Sequence, residues 1–135
     1  EDDLAIASDA VRAEGVEYVA DWVIDDLPQK VATPHGPIFT IPYTVETNDI
    51  TVFALQHHTA TEFLTRGRAQ FDRLYWESVD NARVMAISVH PYITGVPHRI
   101  AALEALLDYV AGHEGAVFMT ASEIGDWYKD ATAEA

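Results

Sequence analysis

The sequence predicts an α/β fold in which strands and helices alternate along the chain. Short apolar runs rich in β-branched and aromatic residues recur, separated by polar segments or by stretches with helical periodicity. Two Thr-x-x-Glu patterns stand where helices would begin. Strands that alternate with helices favour right-handed crossovers, and therefore a parallel sheet or a barrel.

The first predicted elements are a helix and two strands. Leu4, Ala7 and Val11 repeat at helical spacing, and the pattern ends at Gly15, which suits a helix C-cap. Residues 17–22 alternate and carry β-branched and aromatic side chains, which predicts a strand. A polar, proline-containing stretch follows, and the apolar run over residues 38–43 predicts the second strand.

The rest of the chain predicts three helices and two strands. The helices begin after Thr59, at Pro97 and after Thr120. Residues 83–89 form a nearly uniform apolar run, so we expect a strand covered on both faces, as in a parallel sheet. Residues 117–119 predict a short last strand.

About four strands can form an open sheet, but they are too few to close a barrel of the usual eight. The pattern indicates either a single domain over residues 1–135 or the C-terminal part of a larger barrel whose other strands lie elsewhere. We expect that the chain does not fold alone, since a lone piece leaves a sheet edge uncovered.

The composition argues against several partners. A formal net charge of −14 disfavours nucleic acid and anionic membrane surfaces, which both require clustered Lys and Arg. No apolar run approaches the roughly 20 residues of a membrane span. The absence of cysteine excludes disulfides and a cysteine nucleophile within the chain, and it is consistent with a cytoplasmic protein.

His90 is the strongest candidate for a catalytic residue. In parallel α/β folds ligands bind beyond the C-terminal ends of strands, and His90 ends a predicted buried strand and opens a loop that contains Pro and Gly. An imidazole in this position can donate a proton to a leaving amine near neutral pH. The alternative is a structural histidine whose ring bonds a loop carbonyl.

Four further residues are candidates for substrate binding, each with a structural alternative. Asn48 and Asp49 could bond a polar substrate or a water, or they could serve turns and caps. Trp22 could line a pocket or belong to a core. Asp26 follows Asp25, and one of these two carboxylates could face the site while the other caps a turn or a helix.

No metal site is predicted from the residues of this chain. His57 and His58 are neighbours, and neighbouring side chains on a helix point about 100° apart, so they cannot easily bind one ion together. No pair of histidines has the i, i+4 spacing of a helical metal site.

Three segments resemble successive motifs of the polysaccharide deacetylase family. They are GVEYVADWVIDDLP over residues 15–28, IPYTVETND over residues 41–49 and SVHPYITGVPHR over residues 88–99. They are most similar to the branch that contains metal-independent allantoinases and related cyclic-amide hydrolases. The closing segment over residues 123–128 is similar to that branch's terminal helix.

The resemblance implies the second half of a distorted, seven-stranded (β/α) barrel. It implies hydrolysis of a carbon–nitrogen bond other than a peptide bond, in a small amide or a cyclic ureide. His90 matches the family's late histidine and would be the general acid. Trp22 and Asp26 match the motif that lines the pocket, and Asn48 and Asp49 match the polar loop of this branch.

Two departures from the family pattern affect these expectations. An aspartate pair and a His-x-x-x-His metal pair are absent from this chain, so a divalent metal would enter only through a missing N-terminal half. Val96 stands where the branch often has arginine, which puts contacts to an anionic substrate in question.

The resemblance also sets the expected partners and the competing functions. We expect a small-molecule substrate and either a complementary N-terminal segment or a homo-oligomer. A non-catalytic α/β binding or structural module is the first alternative function. Polysaccharide N-deacetylation is the second.

Overall fold

The computed structural model describes residues 9–133, and the chain divides into two compact units. One unit comprises Glu1–Pro42 together with Met119–Ala135, and the other comprises Tyr43–Phe118. The α/β class predicted from the sequence is confirmed, because both units combine helices with extended chain and the first contains a three-stranded sheet. The helices are labelled α1 (Ala60–Glu77), α2 (Ile100–Ala111) and α3 (Ala121–Thr132).

The sheet consists of β1 (Tyr18–Val19), β2 (Gln29–Val31) and β3 (Ile38–Thr40), in the order β1-β3-β2. β1 runs parallel to β3, with Tyr18 opposite Phe39, and β2 runs antiparallel to β3, with Lys30 opposite Phe39. The two strands predicted here exist but are shorter than expected. β2 lies in the polar, proline-containing stretch, for which the sequence predicted no strand, and its antiparallel pairing with β3 departs from the expected parallel sheet or barrel.

A tight turn explains the antiparallel pair β2–β3. The Gly36 N–H donates to the Thr33 carbonyl at 3.1 Å, and the Thr33 hydroxyl donates to the Gly36 carbonyl at 2.6 Å. Gly36 has a φ of 106°, a left-handed conformation that glycine adopts without strain. The turn therefore reverses the chain within a few residues, which the composition of this polar stretch does not reveal.

One face of this sheet packs on α3, the last helix. The predicted capping box is present, since the Thr120 and Glu123 side chains each bond the other's backbone. Gly125 is buried against the sheet, where an added Cβ would make an ordinary contact 3.6 Å from the Tyr18 ring. In the same unit, residues 9–13 are helical and Gly15 has a φ of 88°, as a C-cap requires. Leu4 and Ala7 lie outside the described residues.

The second unit is built on α1 and α2, preceded by a π-helical segment over Ile50–Leu55. Thr59 caps α1 as predicted, accepting from the Glu62 N–H. Pro97 precedes α2 in a turn, so the prediction that Pro97 opens this helix is wrong by three residues. The core of the unit consists of six buried side chains: Val52, Phe53, Phe63, Phe71, Leu106 and Val110.

Residues 83–89 are extended but do not form the predicted covered strand. Within the described part of the chain their one strand-like pairing is an isolated parallel bridge between Asn48 and Ser88. Residues 83–87 are half-buried rather than enclosed. A strand needs a ladder of backbone hydrogen bonds to a neighbouring strand. Residues 47–49 form such bonds with this segment only at Ser88, whose N–H donates to Thr47 and whose carbonyl accepts from Asp49. Likewise, residues 117–119 are exposed and form no strand among residues 9–133.

Candidate active site

Buried threonines attach the segment after Pro42 to the extended segment at Ala86. The Thr47 hydroxyl donates to the Ala86 carbonyl at 2.6 Å, and the Thr44 and Thr47 hydroxyls are 2.7 Å apart. Both threonines are buried. Buried hydroxyls need such partners, so these bonds fix the position of the residues that follow Thr47.

Asn48 forms the end of this attachment. It bridges Ser88, and its side-chain Oδ1 accepts from the backbone N–H of Ile50 at 2.9 Å. This bond is a local turn contact of the kind that asparagine favours. The Asn48 side chain therefore stabilises the first turn of the π-helical segment. As a result, Asp49 lies beneath the loop that starts at His90.

Asp49 is completely buried and is held by three donors. Its Oδ2 accepts from the His90 backbone N–H at 2.6 Å and from the Thr94 hydroxyl at 2.7 Å, and its Oδ1 lies 2.7 Å from Nδ1 of the His90 ring. Burial acts to raise the pKa of Asp49, but the hydrogen bonds from His90 and Thr94 outweigh it. The pKa therefore lies below its ordinary value, and Asp49 is a carboxylate at neutral pH.

The loop that follows His90 is a tight turn. The His90 carbonyl accepts from the N–H groups of Ile93 and Thr94, each at 2.9 Å. Gly95 comes so close to the Pro91 carbonyl oxygen that a Cβ at this position would overlap it. A glycine is therefore required here by close approach of the backbone, and the turn returns Thr94 to Asp49.

The His90 side chain is 32 % exposed, although its Asp49 partner has no exposed surface. Since a carboxylate only accepts, Nδ1 carries the proton of this bond in the neutral ring. Among the described residues the ring is bonded through Nδ1 alone, so Nε2 is the nitrogen available to a ligand. The ring of Tyr92 lies beside it, with centroids 5.5 Å apart. The arrangement can hold a proton at Nε2 and transfer it.

The structure brings three of the predicted site residues together in the second unit, and the other two belong to the first unit. His90, Asp49 and Asn48 meet in the second unit. Trp22 and Asp26 belong to the first unit, where both are half-buried. The Asp26 backbone N–H donates to the Asp25 side chain at 2.7 Å.

Sequence reasoning missed Thr94, Thr44 and Thr47, which hold this cluster in place. Threonine carries little signal in a single sequence, because its hydroxyl is as common in loops and caps as in buried networks. The one available signal was the position of Thr94 four residues after His90, inside the same Pro/Gly loop.

His57 and His58 lie outside the helices, shortly after the π-helical segment. Both are exposed, and His57 has a φ of 56°. Across residues 9–133, no three His, Asp or Glu side chains come together in a way that could hold a metal ion. No helix in that range is both long and apolar enough to cross a membrane.

The comparisons relate this α/β chain to a class of known proteins. No protein-family model matches the chain. A protein of Schizosaccharomyces pombe, provisionally named a polysaccharide deacetylase, is 33 % identical over 106 residues, which are 76 % of this chain and 33 % of that protein. A peptidoglycan deacetylase of Helicobacter pylori is 27 % identical over 116 residues, which are 86 % of this chain and 34 % of that protein.

Two crystal structures have the same fold over most of the chain. Puue allantoinase matches with a TM-score of 0.85 and 29 % identity, over 91 % of this chain and 42 % of the allantoinase chain. A Pseudomonas aeruginosa PAO1 protein, provisionally assigned as a polysaccharide deacetylase, matches with a TM-score of 0.79 and 30 % identity, over 85 % of this chain and 39 % of that one.

The predicted resemblance to the polysaccharide deacetylase family, with an allantoinase among its near structural neighbours, is confirmed. The chain spans about a third of the length of these curated relatives and about two-fifths of the two solved structures. The similarity therefore concerns part of each relative.

Proposed function

We propose that this chain carries the general acid of a hydrolase that acts on carbon–nitrogen bonds other than peptide bonds. The observation that supports the proposal is the pairing of the buried Asp49 carboxylate with the half-exposed His90 ring. A carboxylate hydrogen-bonded to one ring nitrogen fixes the orientation of the imidazole and leaves the other nitrogen for the substrate. The resemblance to deacetylases and an allantoinase implies the same class of reaction.

In such a reaction water attacks the carbonyl carbon, and the carbon–nitrogen bond of the tetrahedral intermediate then breaks. The departing nitrogen needs a proton, because an amide anion is a poor leaving group. We assign this proton to Nε2 of protonated His90. After the transfer the ring is neutral, and its remaining proton stays on Nδ1 facing Asp49. The attacking water gives up its proton to solvent, since the role of a base is assigned to none of residues 9–133.

Asp49 orients His90 in this proposal and does not touch the substrate. Its oxygens are fully buried and occupied by three donors, which leaves a substrate no access to them. Trp22 and Asp26 remain proposed substrate-binding residues, on the resemblance of their motif alone. Asn48 also remains a proposed binding residue, although its Oδ1 already accepts from Ile50.

We propose that residues 1–135 form the C-terminal part of a distorted seven-stranded barrel, completed by an N-terminal segment or by a second copy. The share of each relative that the chain covers supports this. So do the extended, half-buried residues 83–87 and the exposed Val117 and Phe118, all of which a neighbouring strand could cover. Light scattering together with the intact mass of whatever co-purifies tests it, and a compact lone monomer would contradict it.

A divalent metal does not fit the described residues of this chain by themselves. Both oxygens of Asp49 accept hydrogen bonds, and across residues 9–133 no three His, Asp or Glu side chains come together that could hold an ion with Nε2 of His90. We propose that any divalent metal would be bound by residues outside the chain, and the proton transfer from His90 does not involve one. The cytoplasmic location stays a prediction.

The assay that tests the function compares three substrates: allantoin as a cyclic ureide, an N-acetylglucosamine oligomer, and a simple alkyl amide. His90→Ala should abolish most of the turnover, whereas the exposed His98→Ala serves as a matched control and should retain it. Turnover of the acetylated oligomer alone would favour the N-deacetylase alternative. If the complete enzyme, which is this chain together with the segment or copy that completes its barrel, hydrolyses none of the three, or if His90→Ala in that enzyme equals the wild type, the enzymatic proposal fails and the non-catalytic module gains.

A further inference from the structure

The third donor to Asp49 is a buried hydroxyl with no part in the proton transfer described above. Thr94 is 1 % exposed, and its hydroxyl donates to Oδ2 of Asp49 at 2.7 Å. Its backbone N–H also donates to the His90 carbonyl at 2.9 Å. Thr94 thus contacts both members of the Asp49–His90 pair, once through its side chain and once through its backbone.

We infer that Thr94 is a positioning residue, which locks the Asp49 carboxylate so that Oδ1 faces Nδ1 of His90 and Nε2 is presented outward. A carboxylate can rotate about its carbon–carbon bond, and the His90 N–H fixes only one of its oxygens. The Thr94 hydroxyl adds a second donor to that same oxygen, from a different position in the chain. The other oxygen is therefore left for the ring.

The geometry favours this role over simple filling of space. A buried hydroxyl without a partner is unfavourable, so a threonine that only filled space would be replaced without loss by valine, which has nearly the same shape. The hydroxyl of Thr94 instead points at a charged acceptor, and hydrogen bonds to charged groups are about twice as strong as neutral ones. At metal sites, a group that is hydrogen-bonded to the second ring nitrogen of a histidine fixes the tautomer and the orientation of the ring in the same way.

The inference deepens the proposed function and rests on it for the catalytic readout only. The test uses two pairs of variants of the protein. Thr94→Val removes the hydroxyl at nearly constant volume, and Thr94→Ser keeps it. Thr94→Ala and Thr94→Ser differ by the hydroxyl alone, so this second pair keeps the test decisive if Thr94→Val does not fold. Thr65→Val is the control, because the Thr65 hydroxyl bonds only a backbone carbonyl on the exposed face of α1.

The first readout is the ring-nitrogen NMR spectrum of His90, which does not depend on activity. At a pH where the ring is neutral, the wild type should carry its single ring proton at Nδ1. Thr94→Val and Thr94→Ala should show a mixture of the two tautomers, whereas Thr94→Ser and Thr65→Val should keep the wild-type spectrum. An unchanged spectrum in Thr94→Val and Thr94→Ala would overturn the inference.

The second readout is the split between kcat and KM. Thr94→Val should lower kcat by roughly 10- to 150-fold with little change in KM, as expected for the loss of one hydrogen bond to a charged group. Thr94→Ser should restore most of kcat. Equal losses in Thr94→Ser and Thr94→Val would overturn the inference in favour of a packing role. If the tautomers mix as expected but the wild type hydrolyses no carbon–nitrogen bond, the proposed function fails and the positioning of His90 by Thr94 stands.

Discussion

Asp49 and His90 are 41 positions apart in the sequence, yet two hydrogen bonds join them, one from the His90 backbone and one between the side chains. The backbone bond fixes where the loop begins, and the ring bond fixes which nitrogen faces outward. Because Asp49 is fully buried, its end of both bonds is shielded from water, whereas the His90 ring is partly exposed. The relationship couples the shape of the loop to the orientation of the candidate general acid.

The lowered pKa of Asp49 predicts how stability depends on pH. The folded-state pKa lies below the unfolded value of about 3.9, so the folded protein binds fewer protons in acid than the unfolded chain. The stabilising contribution of Asp49 is therefore complete above about pH 4 and is lost as the pH falls through the lowered folded-state pKa. Denaturant unfolding at several pH values should show a steeper loss in the wild type than in Asp49→Asn.

The Asp49→Asn variant should also be less stable at neutral pH. Its amide NH2 must face one of the donors that the carboxylate now accepts, and each buried donor left without an acceptor costs about 1–3 kcal/mol. Asp80→Asn, at an exposed position, controls for the loss of one negative charge. Equal unfolding free energies for the wild type and Asp49→Asn at pH 7 would contradict the role of the three bonds.

His90→Ala should affect poor and good leaving groups differently. A placed proton donor contributes roughly 10²–10⁴-fold to turnover, so the variant should lose about that much on an alkyl amide and far less on a nitrophenyl ester, whose leaving group needs no protonation. The variant should also lose about 1–3 kcal/mol of stability, because Oδ1 of Asp49 loses its donor. Equal losses on both substrates would exclude proton donation by His90.

Gly95→Ala should destabilise the loop that holds His90. The new Cβ would overlap the Pro91 carbonyl oxygen, a backbone atom that cannot move without opening the turn. We expect a lower melting temperature and weaker activity, since the turn positions Thr94 and His90. Gly112→Ala is the matched control, because its Cβ would meet only the Asp108 carbonyl at 3.4 Å and the Tyr109 carbonyl at 3.5 Å. Comparable melting temperatures for the two variants would contradict the close approach at Gly95.

Gly67→Ala should overpack the contact between α1 and α2. An added Cβ would lie 2.5 Å from Cδ2 of Leu106, a side chain with no exposed surface. Overpacking of this kind costs about 1–3 kcal/mol. Leu106→Val in the Gly67→Ala background should recover part of that loss, although Leu106→Val alone should be destabilising. Additive losses in the double variant would show that the two positions do not share this space.

The elements that the sequence determined are those whose signal lies within a few neighbouring residues. At Thr59 and Thr120 the threonine side chain accepts a hydrogen bond from the backbone N–H three residues ahead. Such a cap depends on local geometry alone, so the sequence predicts it. The apolar faces of α1 and α2 followed from a helical period that their own sequences carry. The resemblance of the three motifs was also present in the sequence by itself.

Tertiary structure decided what depends on partners distant along the chain. Residues 83–89 have the composition of a covered strand, but composition does not supply the neighbouring backbone that a ladder requires, and only Ser88 finds one among the described residues. The sequence around Asp49 predicted a turn residue or a binding residue. Its burial beneath His90 and Thr94 depends on the position of a loop that begins 41 residues later, so the sequence could not predict it. The physical reason is that a hydrogen bond depends on the position of both partners, whereas a single sequence records only which partners exist.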